Sequence, residues 1–288
     1  MPVQIVLDGG RGQTVLLPES FRLEVEEAPY ITSSVEIAGQ DGEHEFPSAR
    51  RLAPRPLRAS AVLVGVSQAD ADMLAEDLRA KLLGGPLWIF PEAGGSRFIV
   101  AHCDRVTVDR VPGHYRGTVR QITCQFTALR PFWRDAQVQT VTQQVNGSPE
   151  TWTVTQPGTS QVQAPVVRIT ARAPLVNPVL EHQGTGARIA YRGALLTGQS
   201  LVTRSDPCLA YRGVVSLQTV RDLWGVTYAE DHAAEPVPGA EPVIHQMAEE
   251  WLDDGFWLVP GENVLTYRDD ASSSHQATIE ITWRPRYV

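Results

Sequence analysis

The chain has 288 residues, 42% of them apolar and 20% charged, with a formal net charge of −8. This is an ordinary globular composition with length enough for two cores, and it lacks the basic footprint that sequence-reading or storage of nucleic acid requires. No apolar run approaches the ~18 residues of a membrane span, and the N-terminus MPVQIVLDGG lacks the basic-then-apolar layout of a secretory signal.

The first sixty residues alternate short extended pieces with turns: Gln4 to Leu7, Phe21 to Val25 and Ser33 to Ile37 read as strands, and Gly39-Gln40-Asp41-Gly42 reads as a turn. Arginine and proline crowd Phe46 to Pro56, which blocks regular pairing. That stretch is either a solvated connector or an arm that clasps a second subunit.

Next comes the clearest helix. Ser67 is placed as its N-cap with Asp70 three residues on, and Ala71, Leu74, Ala75, Leu78 and Leu82 fall on one face before Gly84-Gly85-Pro86 ends it. Strands flank it, from Arg58 to Val66, Leu87 to Phe90, Arg97 to Val108 and Thr118 to Ala128. In the last of these Ile122, Cys124, Phe126 and Ala128 alternate with Gln121, Thr123, Gln125 and Thr127, the period of a half-buried antiparallel strand. The pattern predicts a first domain over 1–138 in which one helix covers a twisted sheet.

Composition then turns to Gln, Thr, Ser, Gly and Pro, so 139–163 reads as linker and domain entry, with a turn at Asn146-Gly147. From 164 to 288, short strands recur about every ten residues, the mark of a β-sandwich. They fall at Val166 to Thr170, Val179 to His182, Arg188 to Tyr191, Ser200 to Thr203, Cys208 to Tyr211, Val264 to Tyr267 and Ala277 to Arg284. The last two read as an antiparallel hairpin, entered through Pro260-Gly261. Between them and the fifth strand lies an acidic insertion, about 215–255. From Arg221 to Asp254 it holds nine acids against one base, so it carries the whole net charge. Its Pro236-Val237-Pro238-Gly239 reads as a surface excursion.

Little in the chain points to catalysis. There is no GxSxG, HExxH or P-loop motif, and the adjacent His102 and Cys103 on a strand point to opposite faces. Cys103, Cys124 and Cys208 are too far apart for a zinc or redox motif and read as small hydrophobes. The residues of His182-Gln183-Gly184-Thr185-Gly186 read as a hairpin turn. No catalytic, cofactor or metal residue is assigned. The acidic insertion also carries Trp224, Tyr228 and Trp251, and flat rings beside polar groups are how sugar-binding surfaces are built. Those three are the candidate surface or glycan contacts. Phe256 and Trp257 read as core.

The run RASAVLVGVSQADADMLAEDLRAKLLGGPLWIF with TALRPFW, then PVVRITARAPLVNPVLEHQGTGARIAYRGALLTGQSLV and FWLVPGENVLTY, resembles the distal tail proteins of long-tailed siphophages. The landmarks are Asn177-Pro178, Thr185-Gly186, Phe256-Trp257 and Pro260-Gly261 with Asn263. The resemblance covers most residues after about 46, and the acidic insertion departs from it. It implies a mainly β chain: an N-terminal tail-tube-like β-sandwich or split barrel with one α-helix, then a C-terminal galectin-like antiparallel β-sandwich. It further implies a structural, non-enzymatic virion protein at the tail tip, made in the host cytoplasm, without cofactor or membrane insertion. Six copies would form a ring between the tail tube protein and the tail hub, with receptor-binding proteins or host surface glycan as outer partners and DNA only passing through the lumen. Two other readings stay open: a carbohydrate-binding sandwich module, and a polysaccharide-degrading enzyme.

Overall fold

The computed structural model describes every residue except 1, 8–9, 11, 18–20, 27–29, 32–33, 37–42, 46–50, 112–116, 161–162, 206–207, 217, 220, 222–236 and 288. The chain is mainly antiparallel β and divides into two units, Met1–Trp133 and Arg134–Val288.

In the first unit seven strands run in the order Thr14–Leu16, Gln4–Val6, Leu87–Phe90, Arg97–Arg110, Val119–Ala128, Arg55–Val64, Arg22–Val25. The 14-residue strand Arg97–Arg110 links the two halves of this path. Its Ile99–Ala101 pairs with Leu87–Ile89, and from His102 onward it pairs with Val119–Ala128. A bulge between Cys103 and Arg105 sits at the changeover; one extra residue there bends and twists the strand. The sequence places Ile122, Cys124, Phe126 and Ala128 inward, and all four are buried. Arg55–Val64 begins three residues before the expected Arg58 and takes in Pro56. Pro56 lies one residue past the reach of Arg22–Val25, a place where a strand tolerates proline.

The helix spans Gln68–Leu82, and Ser67 caps it: its hydroxyl accepts from the Asp70 amide at 3.2 Å, while the Asp70 carboxylate accepts from the Val66 amide at 2.8 Å. One orphan donor of the first turn is thereby satisfied, and the residue before the cap is tied back onto the helix. Ala71, Ala75, Leu78 and Leu82 are buried, but Leu74 is 40% exposed. The buried stripe is narrower than expected because it follows 71, 75, 78 and 82, and Leu74 falls on its flank. A side chain from the sheet ties the helix down. Arg120, 1% exposed, donates through Nε to Asp72 Oδ1 at 2.7 Å and through Nη1 to the carbonyls of Gly117 and Val119 at 2.5 and 3.0 Å.

The second unit is a sandwich of two sheets. Six strands run in the order Gln139–Val145, Ala277–Trp283, Val166–Ala171, Ser200–Ser205, Cys208–Gly213, Ala240–Pro242. Four run Glu150–Gln156, Gly261–Arg268, Val179–His182, Arg188–Ala190. Val167, Ile169, Leu201 and Ile279 from the first sheet meet Val154, Leu180, Ile189 and Leu265 from the second in one core. Burying such a side chain fully stabilises by about 1.5–3 kcal/mol.

Three sequence expectations are corrected here. Residues 139–156 are not linker: Gln139–Val145 pairs with Ala277–Trp283, and Glu150–Gln156 pairs with Gly261–Arg268. The final two long strands are not a hairpin either, because Gly261–Arg268 and Ala277–Trp283 lie in opposite sheets. Each of these segments is therefore an arch that crosses from one sheet to the other, and the two arches nest. Alternation fixes which face of a strand is buried and leaves its neighbour open. Thirdly, the acidic insertion is partly integral to the sandwich. Ala240–Pro242 extends the six-stranded sheet, and Val243, Met247 and Trp251 enter the main core. Val215 and Val237, on either side of residues 222–236, pack with Val166 and Val202 in a smaller apolar cluster.

Candidate functional site

Most of the landmark residues of the second unit converge on one buried histidine. His182 ends the strand Val179–His182, and the turn after it closes with the Gly186 amide donating to the His182 carbonyl at 2.8 Å. Gly186 holds φ +74, a conformation glycine adopts without a Cβ penalty. The turn aims the amides of Gly184 and Thr185 at His182 Nδ1, at 3.1 and 3.2 Å. An acceptor Nδ1 fixes the proton on Nε2, which donates to Asn263 Oδ1 at 2.8 Å.

Asn263 is itself fully buried and fully used. Its Oδ1 also accepts the Val259 amide at 2.8 Å, and its Nδ2 donates to the carbonyls of Val259 and Gly261, both at 2.9 Å, and of Val154 at 3.2 Å. Thr185, Gly186, Gly261 and Asn263 thus tie three strands of the four-stranded sheet at one end, and Pro260 lies in the loop that Asn263 bridges. Asn177 and Pro178 secure the neighbouring turn. Asn177, at φ +50, takes the Gly193 amide on its Oδ1 at 3.0 Å, and the Pro178 carbonyl takes the Tyr191 amide at 3.1 Å. Sequence reasoning singled out the turn and the Pro-Gly-x-Asn but missed His182, whose signal is a polar ring closing an apolar strand beside glycines. Both ring nitrogens of His182 are thus engaged in a buried network that fixes the turn and the strand end together.

Of the three candidate sugar-binding rings, Trp251 alone lies among the described residues. Trp251 is 0% exposed and belongs to the core, so its assignment to the surface is corrected: the helix Glu249–Asp254 turns the ring inward between the sheets. Trp224 and Tyr228 lie outside the described residues. Phe256 is buried, its amide donating to Ser205 Oγ at 2.7 Å, and Trp257 is half-buried. Preceding them, Gly255 stands at φ +71, where a Cβ would come within 2.9 Å of the Trp257 indole nitrogen. On the outward face of the four-stranded sheet stand Thr151, Thr153 and Thr155 beside Glu262 and Arg268.

Reactive groups are restrained. Burial pushes the Cys103 thiol up to about 11 and the Cys124 thiol to about 12, so neither is a thiolate nucleophile near neutral pH. Glu250 is held below the usual carboxylate range by a helix-start amide and by Arg188, whose Nη2 lies 2.5 Å from it. Among the described residues no three His, Cys, Asp or Glu side chains stand close enough to hold a metal ion, and no helix is long and apolar enough to cross a membrane.

The first unit presents surfaces suited to assembly. Outward-facing positions on its long strands are Arg58, Ser60 and Val62 on one strand, Gln121, Thr123 and Gln125 on the next, and Arg105, Thr107 and Asp109 on the third. This broad face is mostly polar, with its few charges mixed and Val62 and Val64 at one end. Thr14–Leu16 and Arg22–Val25 are the end strands of the seven-strand path and pair on one side only among the described residues. Between Tyr30 and Leu52 lie two short antiparallel pairs, Tyr30–Ile31 with Arg51–Leu52 and Ser34–Glu36 with Glu43–Glu45, whose strands pair only with each other among the described residues. Part of the Arg/Pro-rich stretch is therefore paired, and residues 46–50 lie outside the described ones. Val62, Val64, Val66 and Met73 stand exposed.

A two-unit antiparallel β chain, with a capped helix on the first unit and a nested-arch sandwich as the second, defines a specific fold class. The Dit protein of phage SPP1, described as a paradigm of the hub adsorption apparatus in phages that infect Gram-positive bacteria, has that fold: its crystal structure matches this chain with a TM-score of 0.61 over 98% of both chains, at 16% identity. The structure of the phage P2 baseplate in its activated conformation with calcium aligns over 100% of this chain and 99% of that one, with a TM-score of 0.43 and 9% identity. No protein-family model and no curated protein matches the sequence.

Proposed function

We propose that this chain is a structural distal tail protein of a long-tailed phage or phage-like particle: a ring component that joins the tail tube to the tail-tip hub and is not an enzyme. The observation that carries this reading is the correspondence in fold with SPP1 Dit across both units from end to end. A shared single domain would be weak support, since one sandwich serves many functions. Two units of this kind in this order are a more demanding match.

The surfaces fit the role. The mostly polar, charge-mixed face of the first unit is suited to lining a bore through which DNA passes without adhering, and the chain's net charge of −8 adds a field that discourages phosphate binding. The end strands Thr14–Leu16 and Arg22–Val25, together with the paired segment from Tyr30 to Leu52, supply heterologous contacts of the kind that close a ring. We assign the ring to the first unit, six copies to the ring, and the outward sandwich to contact with other tip proteins.

Size-exclusion chromatography with light scattering, followed by negative-stain electron microscopy, tests this. Six copies of the 31.6 kDa chain in an annular particle are expected. A protein that stays monomeric at high concentration, alone and when mixed with a tail tube protein, defeats the proposal.

A further inference from the structure

The second unit guards two of the four end strands of its main sheets. Ala240–Pro242 is three residues long and ends in proline, and Arg188–Ala190 is equally short, with the Ala248 amide donating to the Ala190 carbonyl at 3.0 Å. The third edge, Gln139–Val145, is seven residues long, and Arg221 reaches the Thr140 and Thr282 hydroxyls on the face of that sheet. Short strands, prolines and covering groups are the usual means by which a sheet avoids pairing with another chain. Glu150–Gln156 has none of them. It is seven residues long, with no proline, glycine or basic residue, and among the described residues it pairs on one side only, with Gly261–Arg268. Its Trp152 carries a buried indole N–H that has no acceptor among the described residues.

The sequence of this edge, Glu-Thr-Trp-Thr-Val-Thr-Gln, is close to symmetric about Thr153. We infer that the edge Glu150–Gln156 is a docking strand for the same edge of a second copy, pairing antiparallel about Thr153 and joining two four-stranded sheets across a two-fold axis. That register places Thr153 against the partner's Thr153 and Thr151 against the partner's Thr155, all on the exposed face. On the other face Trp152 meets the partner's Val154. Threonine pairs and aromatic with β-branched pairs are the favourable cross-strand combinations, and like charges directly opposite are the unfavourable one. The single charge, Glu150, falls against the partner's Gln156, and the two glutamates stand about 20 Å apart at 3.4 Å per residue. The complementarity is to itself, which is why a second copy is the occupant.

One seven-residue edge makes a small interface, so pairing is weak and depends on concentration. The net charge of −8 on each copy opposes it, and salt relieves that repulsion. This inference goes beyond the ring proposal and is independent of it: pairing doubles whatever particle the first unit forms, whether monomer or ring.

Sedimentation velocity of the full chain, across concentration and at low and high salt, reads the doubling. The parent is expected to double in mass as concentration rises, more readily at high salt. Thr153→Lys sets two ammonium groups face to face on the axis of an exposed position, and is expected to weaken doubling about tenfold or more while leaving the melting temperature unchanged. Thr153→Cys under diamide is expected to give a covalent dimer on a non-reducing gel, because opposed residues in antiparallel strands stand within disulfide reach; the parent under diamide shows no such band. Doubling that survives Thr153→Lys, or no covalent dimer through position 153, overturns the inference. A failed ring proposal shows differently, as a smallest species that is a monomer, with or without doubling.

Discussion

Ser148 and Asp269, separated by 121 residues of chain, hold each other through hydroxyl and main chain: the Asp269 amide donates to Ser148 Oγ at 3.0 Å, and the hydroxyl donates back to the Asp269 carbonyl at 3.4 Å. Each residue sits at the turn of one arch, so this contact locks the two nested arches where they cross between sheets. The Asp269 carboxylate extends the lock. It accepts the Tyr267 hydroxyl at 3.1 Å and approaches His275 Nδ1 at 2.5 Å.

Ser148→Ala removes one hydroxyl and is expected to destabilise the second unit by about 1 kcal/mol. Asp269→Ala also strands the buried Tyr267 hydroxyl and is expected to cost about 2–4 kcal/mol. Urea unfolding followed by tryptophan fluorescence measures both. Equal effects from the two variants would mean that the carboxylate contributes nothing.

Asn263→Asp keeps the shape of the side chain and removes its donors. The carbonyls of Val154, Val259 and Gly261 then face a carboxylate oxygen in a buried site. A loss of about 3–5 kcal/mol is expected, larger than for Asn263→Ala. Thermal melts of the two variants rank them, and the reverse order refutes the donor role assigned to this amide.

Arg120 is buried while its partner Asp72 is half exposed on the helix. Asp72→Ala leaves the guanidinium with carbonyl acceptors alone and is expected to cost about 1–3 kcal/mol, moderated by water at the open side. Arg120→Leu with Asp72→Leu together should recover part of that loss, since an apolar pair removes the buried charge. A double variant less stable than Asp72→Ala would contradict this.

Alkaline stability follows from three groups. Burial raises Cys103 to about 11 and Cys124 to about 12, and raises Tyr267 further still, with Asp269 adding to it. In the unfolded chain thiols ionise near 9 and tyrosine near 10. A folded pKa above the unfolded one gives stability that is whole below the unfolded value and declines as pH climbs toward the folded one. Denaturation midpoints should therefore fall steadily from about pH 9 upward. Absorbance at 295 nm should show Tyr267 silent until unfolding.

Much of the fold is legible in the sequence where periodicity and chemistry agree. Ser67 with Asp70 announces the helix start, and the alternation from Ile122 to Ala128 gives the buried face of its strand. Pairing is not legible in the same way. The alternation of Gly261–Arg268 and Ala277–Trp283 is equally compatible with a hairpin and with an arch, because both bury the same side chains. The edge strands at 139–156 were hidden by glutamine and threonine, which resemble a linker by composition; the regular recurrence of Thr151, Thr153 and Thr155 was the available signal, since β-branched residues at every second position favour a strand. Trp251 shows the opposite failure. An acidic neighbourhood suggests a surface, while a helix of six residues turns its one large ring inward.

The nested arches also set the order in which the second unit can form. Gln139 pairs with Trp283, and Val145 with Ala277, so the strand Ala277–Trp283 joins partners laid down more than a hundred residues earlier. During synthesis each emerging sheet lacks an inner strand until Gly261–Arg268 and Ala277–Trp283 have left the ribosome, and contacts so distant along the chain make for slow closure, on the order of milliseconds to seconds. Until then the threonine-rich segment remains without its first partner, which makes the nascent chain most vulnerable to mispairing at the very strand that later faces outward.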